Sequence, residues 1–254
     1  MLDIIQSKLR EIESCEQVRI LHCVESGSRA WGFASPDSDY DVRFVYIRKP
    51  EEYLRLEKTR DVIEWQLDDT LDINGWDLQK ALRLLHHSNP TLFEWNASPV
   101  IYHTTDAWTS LQKLIASCFM QKPALHHYIS MAKNSYREYL QSDMVKLKKY
   151  FYVLRPVLAC RWILDNQTPP PVAFTELAAA CLPASLKGEV RRLLELKINA
   201  SEMDLGPRIQ PINDFLDYNI MEITESINQM PPSQPTGWKE LNEAFLRILR
   251  AYAP

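Results

Sequence analysis

Val18-Arg-Ile-Leu-His-Cys-Val24, then Glu25-Ser26-Gly27-Ser28-Arg29-Ala30-Trp31-Gly32, a turn through Pro36, and Ser38-Asp39-Tyr40-Asp41-Val42-Arg43-Phe44-Val45-Tyr46-Ile47 form the stretch on which the fold turns. The first run is mostly apolar and reads as a buried strand. The last is aromatic and β-branched and reads as a second strand. Gly27, Gly32, Pro36 and the serines and aspartates between them read as turn. On a strand, Asp39 and Asp41 point to the same face, with Cβ atoms about 6.6 Å apart at a rise of about 3.3 Å per residue. Carboxylates so placed can hold one or two hard divalent cations; without a cation, their repulsion drives one to take up a proton. A Gly27-Ser28 turn offers backbone N–H groups and a hydroxyl, which suit phosphate oxygens. Arg43 shares the face of Asp41 and is placed either to reach phosphate or to neutralise the acidic pair.

Working outward, Leu2, Ile5, Leu9 and Ile12 have helical spacing, which predicts an opening helix over 2–14. Residues 60–66 (RDVIEWQ) and 70–76 (TLDINGW) are further strand candidates, the second weakened by Gly75. From Asp77, a plausible N-cap, Leu78, Ala81, Leu82 and Leu85 restore the helical period. Asn89-Pro90 stops that helix, and Thr91 to Glu94 has capping-box spacing for another. Helical patterning then recurs over 124–140, 143–164, 175–180, 185–199 and 237–251. The expected architecture is α+β: a head over 1–105 with a small mixed sheet, and a mainly helical body over 120–254.

The chain has 254 residues, 46% apolar and 24% charged, with 29 Lys plus Arg against 33 Asp plus Glu. The net charge of -4 disfavours extensive non-specific polyanion binding and leaves room for a local basic pocket. No apolar run approaches the roughly 20 residues of a membrane helix. The acidic, amphipathic N-terminus is unlike a signal peptide, so a cytoplasmic location is expected. The 5 cysteines are scattered without a C-x-x-C, against a disulfide framework or a structural zinc site. His86-His87 and His126-His127 lack partners at metal-ligand spacing and read as surface or packing residues.

Four segments in order, GSRAWGF, SDYDVRF, DINGWDLQKALRLL and NPTLFEW, resemble the DNA polymerase β-like nucleotidyltransferase superfamily. Within it they are similar to predicted bacterial and phage nucleotidyltransferases associated with RNA-ligase-type repair systems, and YFYVLRPVLACRW at 150–162 extends the likeness. The resemblance implies a third carboxylate on a neighbouring strand. Glu64, Asp68, Asp69, Asp72 and Asp77 are the candidates; Asp72 matches the family layout, Asp77 suits capping, and Glu64 is the reserve. It also implies two Mg²⁺ (or Mn²⁺) ions on Asp39, Asp41 and Asp72, and a nucleoside triphosphate whose phosphates meet Gly27, Ser28 and, in the same turn, Arg29. In related two-domain enzymes the helical body adds base stacking and phosphate contacts. By that analogy Lys133, Lys149, Tyr152 and Arg155 join the candidates. The implied reaction moves a nucleoside monophosphate onto a hydroxyl, with an RNA 3′ end as the acceptor that the repair association suggests. An antitoxin-type protein adenylyltransferase and an inactive nucleotide-binding sensor are the alternatives.

Overall fold

The computed structural model describes residues 1–68, 70–199 and 205–254. The fold is α+β, and the chain divides into two compact units. The first comprises Met1–Ala30, Asp39–Cys118 and Pro235–Pro254; the second comprises Trp31–Ser38 and Phe119–Gln234. Neither is one continuous segment, so these units cut the chain differently from boundaries at 105 and 120.

The first unit opens with α1 (Leu2–Glu16), whose Ile5, Leu9 and Ile12 are buried as their spacing predicts. The sheet is built from β1 (Val18–Glu25), β2 (Tyr40–Arg48), β3 (Val62–Asp68), β4 (Leu71–Asp77) and β5 (Ile101–Thr104), in the order β3-β4-β2-β1-β5. β2 and β4 run parallel, and the other neighbouring pairs are antiparallel. Strand β4 alternates buried and half-buried residues through Gly75. The glycine does not interrupt it: a Cβ at Gly75 would collide with the Phe44 ring across the strand pair, so its absence is what lets that aromatic pack. Edge strand β5 escapes the sequence reading because its residues are mostly exposed and carry no alternation.

After β4 the Asp77 carboxylate caps α3 (Leu78–His86), accepting from Gln79 N at 2.7 Å, as the sequence predicts. For α4 (Pro90–Asn96) the cap differs from the expected capping box at Thr91. Asn89 accepts from Thr91 N at 3.0 Å, with Pro90 in the first helical turn. Short helices α5 (Asp106–Thr109) and α6 (Gln112–Ser117) close this stretch.

In the second unit, α2 lies outside: that short helix (Gly27–Ala30) belongs to the first. The second unit contains α7 (Gln121–Tyr139), β6 (Met144–Lys146), α8 (Tyr150–Asn166), α9 (Phe174–Cys181), α10 (Ala184–Asn199), β7 (Leu205–Pro207) and α11 (Gln210–Gln229). The helix expected over 143–164 begins only at Tyr150, because Met144–Lys146 pairs with Leu205–Pro207 instead. The sequence reading also misses α11, whose apolar stripe is broken by two buried amides, Asn213 and Asn219. The core of this unit packs α8 against α7 and α11, and Phe33 enters it through Phe151 and Phe174 at ring-centroid distances of 4.9 and 5.7 Å. The Gly27–Phe33 motif is therefore shared: its turn belongs to the first unit and its aromatics to the core of the second.

The last helix, α12 (Trp238–Tyr252), folds with the first unit. Trp238 stacks on His86 at 3.8 Å, and Phe245 packs edge-on to Tyr53 at 5.2 Å. Among the described residues no helix is long and apolar enough to cross a membrane.

Candidate active site

The parallel pairing of β2 and β4 sets Asp41 directly beside Asp72, as Cα partners on adjacent strands. Arg43, two residues on from Asp41, lies between them. Its Nη2 donates to Asp41 Oδ1 at 2.8 Å and Asp72 Oδ2 at 2.7 Å, while Nη1 donates to the carbonyls of Asp72 and Val42 at 2.9 and 3.1 Å. Of the two roles open to Arg43 in the sequence, the geometry has it neutralising the acidic pair. Burial pushes the Asp41 carboxyl above the usual range; Arg43 pulls it back, and the charges of Asp39 and Asp72 push it up further.

Gly27 has φ 57°, a conformation that favours glycine. A Cβ there would collide with Oδ2 of Asp41, so the turn after β1 sits with its backbone against the carboxylate. Two further bonds hold the Asp41 backbone. Its carbonyl accepts from Ser26 N at 2.8 Å, and its N–H donates to Glu25 Oε1 at 2.7 Å. Glu25 is 1% exposed, and the Tyr102 hydroxyl donates to its other oxygen. Burial raises its carboxyl, the bonds from Tyr102 and Asp41 N–H lower it, the Asp41 charge raises it, and Arg29 lowers it. Sequence reading missed Glu25, because a glutamate at the end of a strand, just before a Gly-Ser turn, looks like the start of the loop. Edge strand β5, which brings Tyr102, carries no sequence signal either, since its residues are mostly exposed.

Asp39 lies just before β2 and is exposed. Arg29 Nε donates to the Asp39 carbonyl at 3.1 Å, and its guanidinium lies over the Tyr40 ring at 3.6 Å, so Arg29 braces the entry to β2. Ser28 is half-buried in the turn. Of the other third-carboxylate candidates, Asp77 is spent on its cap and on the Tyr53 hydroxyl at 2.8 Å, and Glu64 is 68% exposed beside Arg60. Asp69 and the side chain of Asp68 lie outside the described residues.

Among the described residues no three His, Cys, Asp or Glu side chains are gathered tightly enough to hold a metal ion. The donors nonetheless suit a hard cation. Asp41 and Asp72 offer carboxylate oxygens that already share one positive charge, that of Arg43, at hydrogen-bond distance.

The four candidates from the helical body all fall in the second unit. Lys149 lies over the rings of Tyr139 and Tyr152, at 4.2 and 4.7 Å, and partial burial lowers its ammonium pKa, as do Lys148 and Lys146. Tyr152 is 44% exposed, unlike its buried neighbours Tyr150 and Phe151, and meets Trp31 edge-on at 6.3 Å. Arg155 is buried, with its guanidinium 4.5 Å from the Trp31 ring. Lys149, Tyr152 and Arg155 thus form one cationic–aromatic cluster with Trp31. Lys133 stands apart, exposed on the groove between α7 and α11.

The sheet thus aligns two carboxylates beside a glycine-serine turn, the arrangement that the family resemblance implies. Residues 1–247 match the RNA repair pathway DNA polymerase beta family, and the chain belongs to that family. It is 45% identical over 249 residues to "Uncharacterized protein YcgL" of Bacillus subtilis (strain 168), covering 96% of this chain and 95% of the relative. Among solved structures it is similar, at 14% identity and a TM-score of 0.31, to a nucleotidyltransferase-like protein from Exiguobacterium sibiricum 255-15, over 97% of this chain and 80% of that one.

Proposed function

We propose that this chain transfers a nucleoside monophosphate from a nucleoside triphosphate to a hydroxyl, with an RNA 3′ end as the acceptor and pyrophosphate as the leaving group. The observation that carries the reading is the alignment of Asp41 with Asp72 across β2 and β4, with Gly27 pressed against Asp41. Family membership supports the same reaction class.

In this reading the Gly27-Ser28 turn binds the β- and γ-phosphates through its N–H groups and the serine hydroxyl. Divalent ions held by Asp39, Asp41 and Asp72 would supply charge neutralisation at the phosphates and acidify the acceptor hydroxyl. Asp72, the more open of the paired carboxylates at 40% side-chain exposure against 24%, faces the acceptor and takes its proton. Glu25 fixes the backbone of Asp41, so that this carboxylate needs little reorganisation during the reaction. Taken by itself, the second unit has in Tyr152 and Trp31 ring surface that suits a base, and in Lys149 charge that suits a phosphate. With a net charge of -4, the contact with RNA is short.

Incubating the chain with each α-labelled nucleoside triphosphate, Mg²⁺ or Mn²⁺, and a short RNA tests the proposal. Label should pass to RNA ending in a 3′-hydroxyl and not to the same RNA with its 3′ end blocked. Label on a protein would support the adenylyltransferase alternative instead. Tight nucleotide binding without pyrophosphate release under any acceptor would support a sensor.

A further inference from the structure

We propose that the far end of the sheet in the first unit carries a second site, a pocket for a phosphate monoester built around the buried guanidinium of Arg48. Arg48 ends β2, seven residues beyond Asp41, so the two lie about 23 Å apart along the strand at a rise of about 3.3 Å per residue. It lines a cavity of about 300 Å³ together with Tyr53, Lys58 and Arg83.

Arg48 is 8% exposed, yet its donors are poorly used. Nη1 reaches the Glu16 carbonyl at 3.5 Å, and Nη2 reaches the Tyr46 hydroxyl and the Arg60 carbonyl at 3.4 Å each. All three lie at the outer edge of hydrogen bonding, and the buried Nε has no hydrogen-bond partner among the described residues. Asp77 meets Arg48 through charge alone, since its oxygens bond Gln79 N at 2.7 Å and the Tyr53 hydroxyl at 2.8 Å. A guanidinium held this way carries the desolvation cost of burial without the bonds that normally offset it.

The other charges around the cavity sort into used and unused. Arg55 is taken by Glu52 at 2.6 Å and Glu57 at 3.8 Å, Arg60 by Glu64 at 3.8 Å, and Asp61 by Lys80 at 3.3 Å. Among the described residues no ion pair includes Arg48, Lys58 or Arg83. Three positive groups therefore remain without a carboxylate partner: one buried at the floor and two exposed at the rim, of which Arg83 donates to the neutral Gln79 Oε1 at 3.1 Å. A dianion with several acceptor oxygens matches that set better than a carboxylate, because arginine forks bond phosphate oxygens in pairs. The cavity is at the small end for ligand sites, with room for a phosphate and a sugar-sized group. That chemistry can come from a small phosphate ester or from the terminal phosphate of a nucleic-acid strand.

Titrating the full chain with inorganic phosphate, followed by calorimetry or ³¹P line broadening at fixed ionic strength, tests the site. Because Arg48 variants risk misfolding, the variant is the exposed pair Lys58→Gln/Arg83→Gln, with Lys113→Gln, an exposed lysine on α6 outside the cavity lining, as the control for lost charge. The double variant should weaken phosphate binding at least tenfold, and Lys113→Gln should leave it unchanged. Ribose 5-phosphate against ribose, and a 5′-phosphorylated against a 5′-hydroxyl RNA tetramer, then separate the two sources. Tighter binding of either phosphorylated ligand, lost in the double variant, supports the proposal and assigns the source. Equal phosphate binding by native chain and double variant overturns it. So does an equal loss in Lys113→Gln, or no preference for phosphate in either pair. None of these readouts needs nucleotidyl transfer, so failure here and failure of the proposed reaction are distinguishable.

Discussion

The two ends of β2 and β4 are built from the same strands and hold opposite electrostatic arrangements. At one end two half-exposed carboxylates, Asp41 and Asp72, share a single guanidinium through bonds of 2.7 to 2.8 Å. At the other a buried guanidinium, Arg48, has only bonds of 3.4 to 3.5 Å, while the adjacent Asp77 turns to a helix cap. The first end has negative charge to spare and suits a cation. The second has positive charge to spare and suits an anion. Strand register decides which neighbours each charge meets, so a count of charges along the chain does not foretell either outcome.

The largest effect that would sharpen this contrast is loss of the paired carboxylates. Asp41→Asn or Asp72→Asn should each lower nucleotidyl transfer about a thousandfold, the scale of removing several kcal/mol of charge stabilisation; pyrophosphate release measures it. Activity retained in both would break the comparison, leaving that end a structural ion cluster. Next comes the turn against Asp41. Gly27→Ala puts a Cβ onto the carboxylate and strains a positive φ, so transfer should fall about a hundredfold, with a stability loss of at least about 1 kcal/mol. Gly32→Ala, also at positive φ but with open space around the added Cβ, should show the stability loss alone in denaturant melts.

Smaller again, Glu25→Gln should lower kcat about ten- to a hundredfold with little change in KM for the triphosphate, because it acts through the Asp41 backbone; steady-state kinetics would show the split. An effect on stability, with none expected on transfer, concerns the far end. Burial pushes the Asp77 carboxyl up to about 6, above its unfolded range, so its ionised form is less favourable in the folded state. Stability from this group is intact below about pH 4 and is lost as pH rises towards 6 and beyond. Asp77→Asn, which can still cap α3, should gain on the native chain by up to about 3 kcal/mol between pH 4 and pH 7 in urea unfolding curves. A constant difference across that range would remove the burial argument.

Much of the head could be read from the chain because its signals are local. α1, β1, β2 and α3 follow from apolar period and from the Asp77 cap. Elements whose pattern is set by neighbours were harder. β5 is an edge strand with little to bury, α11 carries two amides in its buried face, and residues 144–146 leave the helical pattern for a strand partner sixty residues on. Of the candidate site residues, Asp39, Asp41 and Gly27 follow from spacing and Asp72 from the family likeness. Glu25 and Tyr102 were invisible, since their value comes from burial and from contact across the sheet.

The order of apolar and turn residues alone specified an α+β chain with a strand–turn–strand carrying paired aspartates, since side-chain period and turn chemistry act over a few residues. Tertiary structure alone decided that Asp72 stands beside Asp41 with Arg43 between them, and that Trp31 and Phe33 pack with the second unit. It also decided that Arg48 is buried with its donors slack. These depend on strand register and burial, which bring together residues far apart in the chain and fix how much solvent each charge keeps.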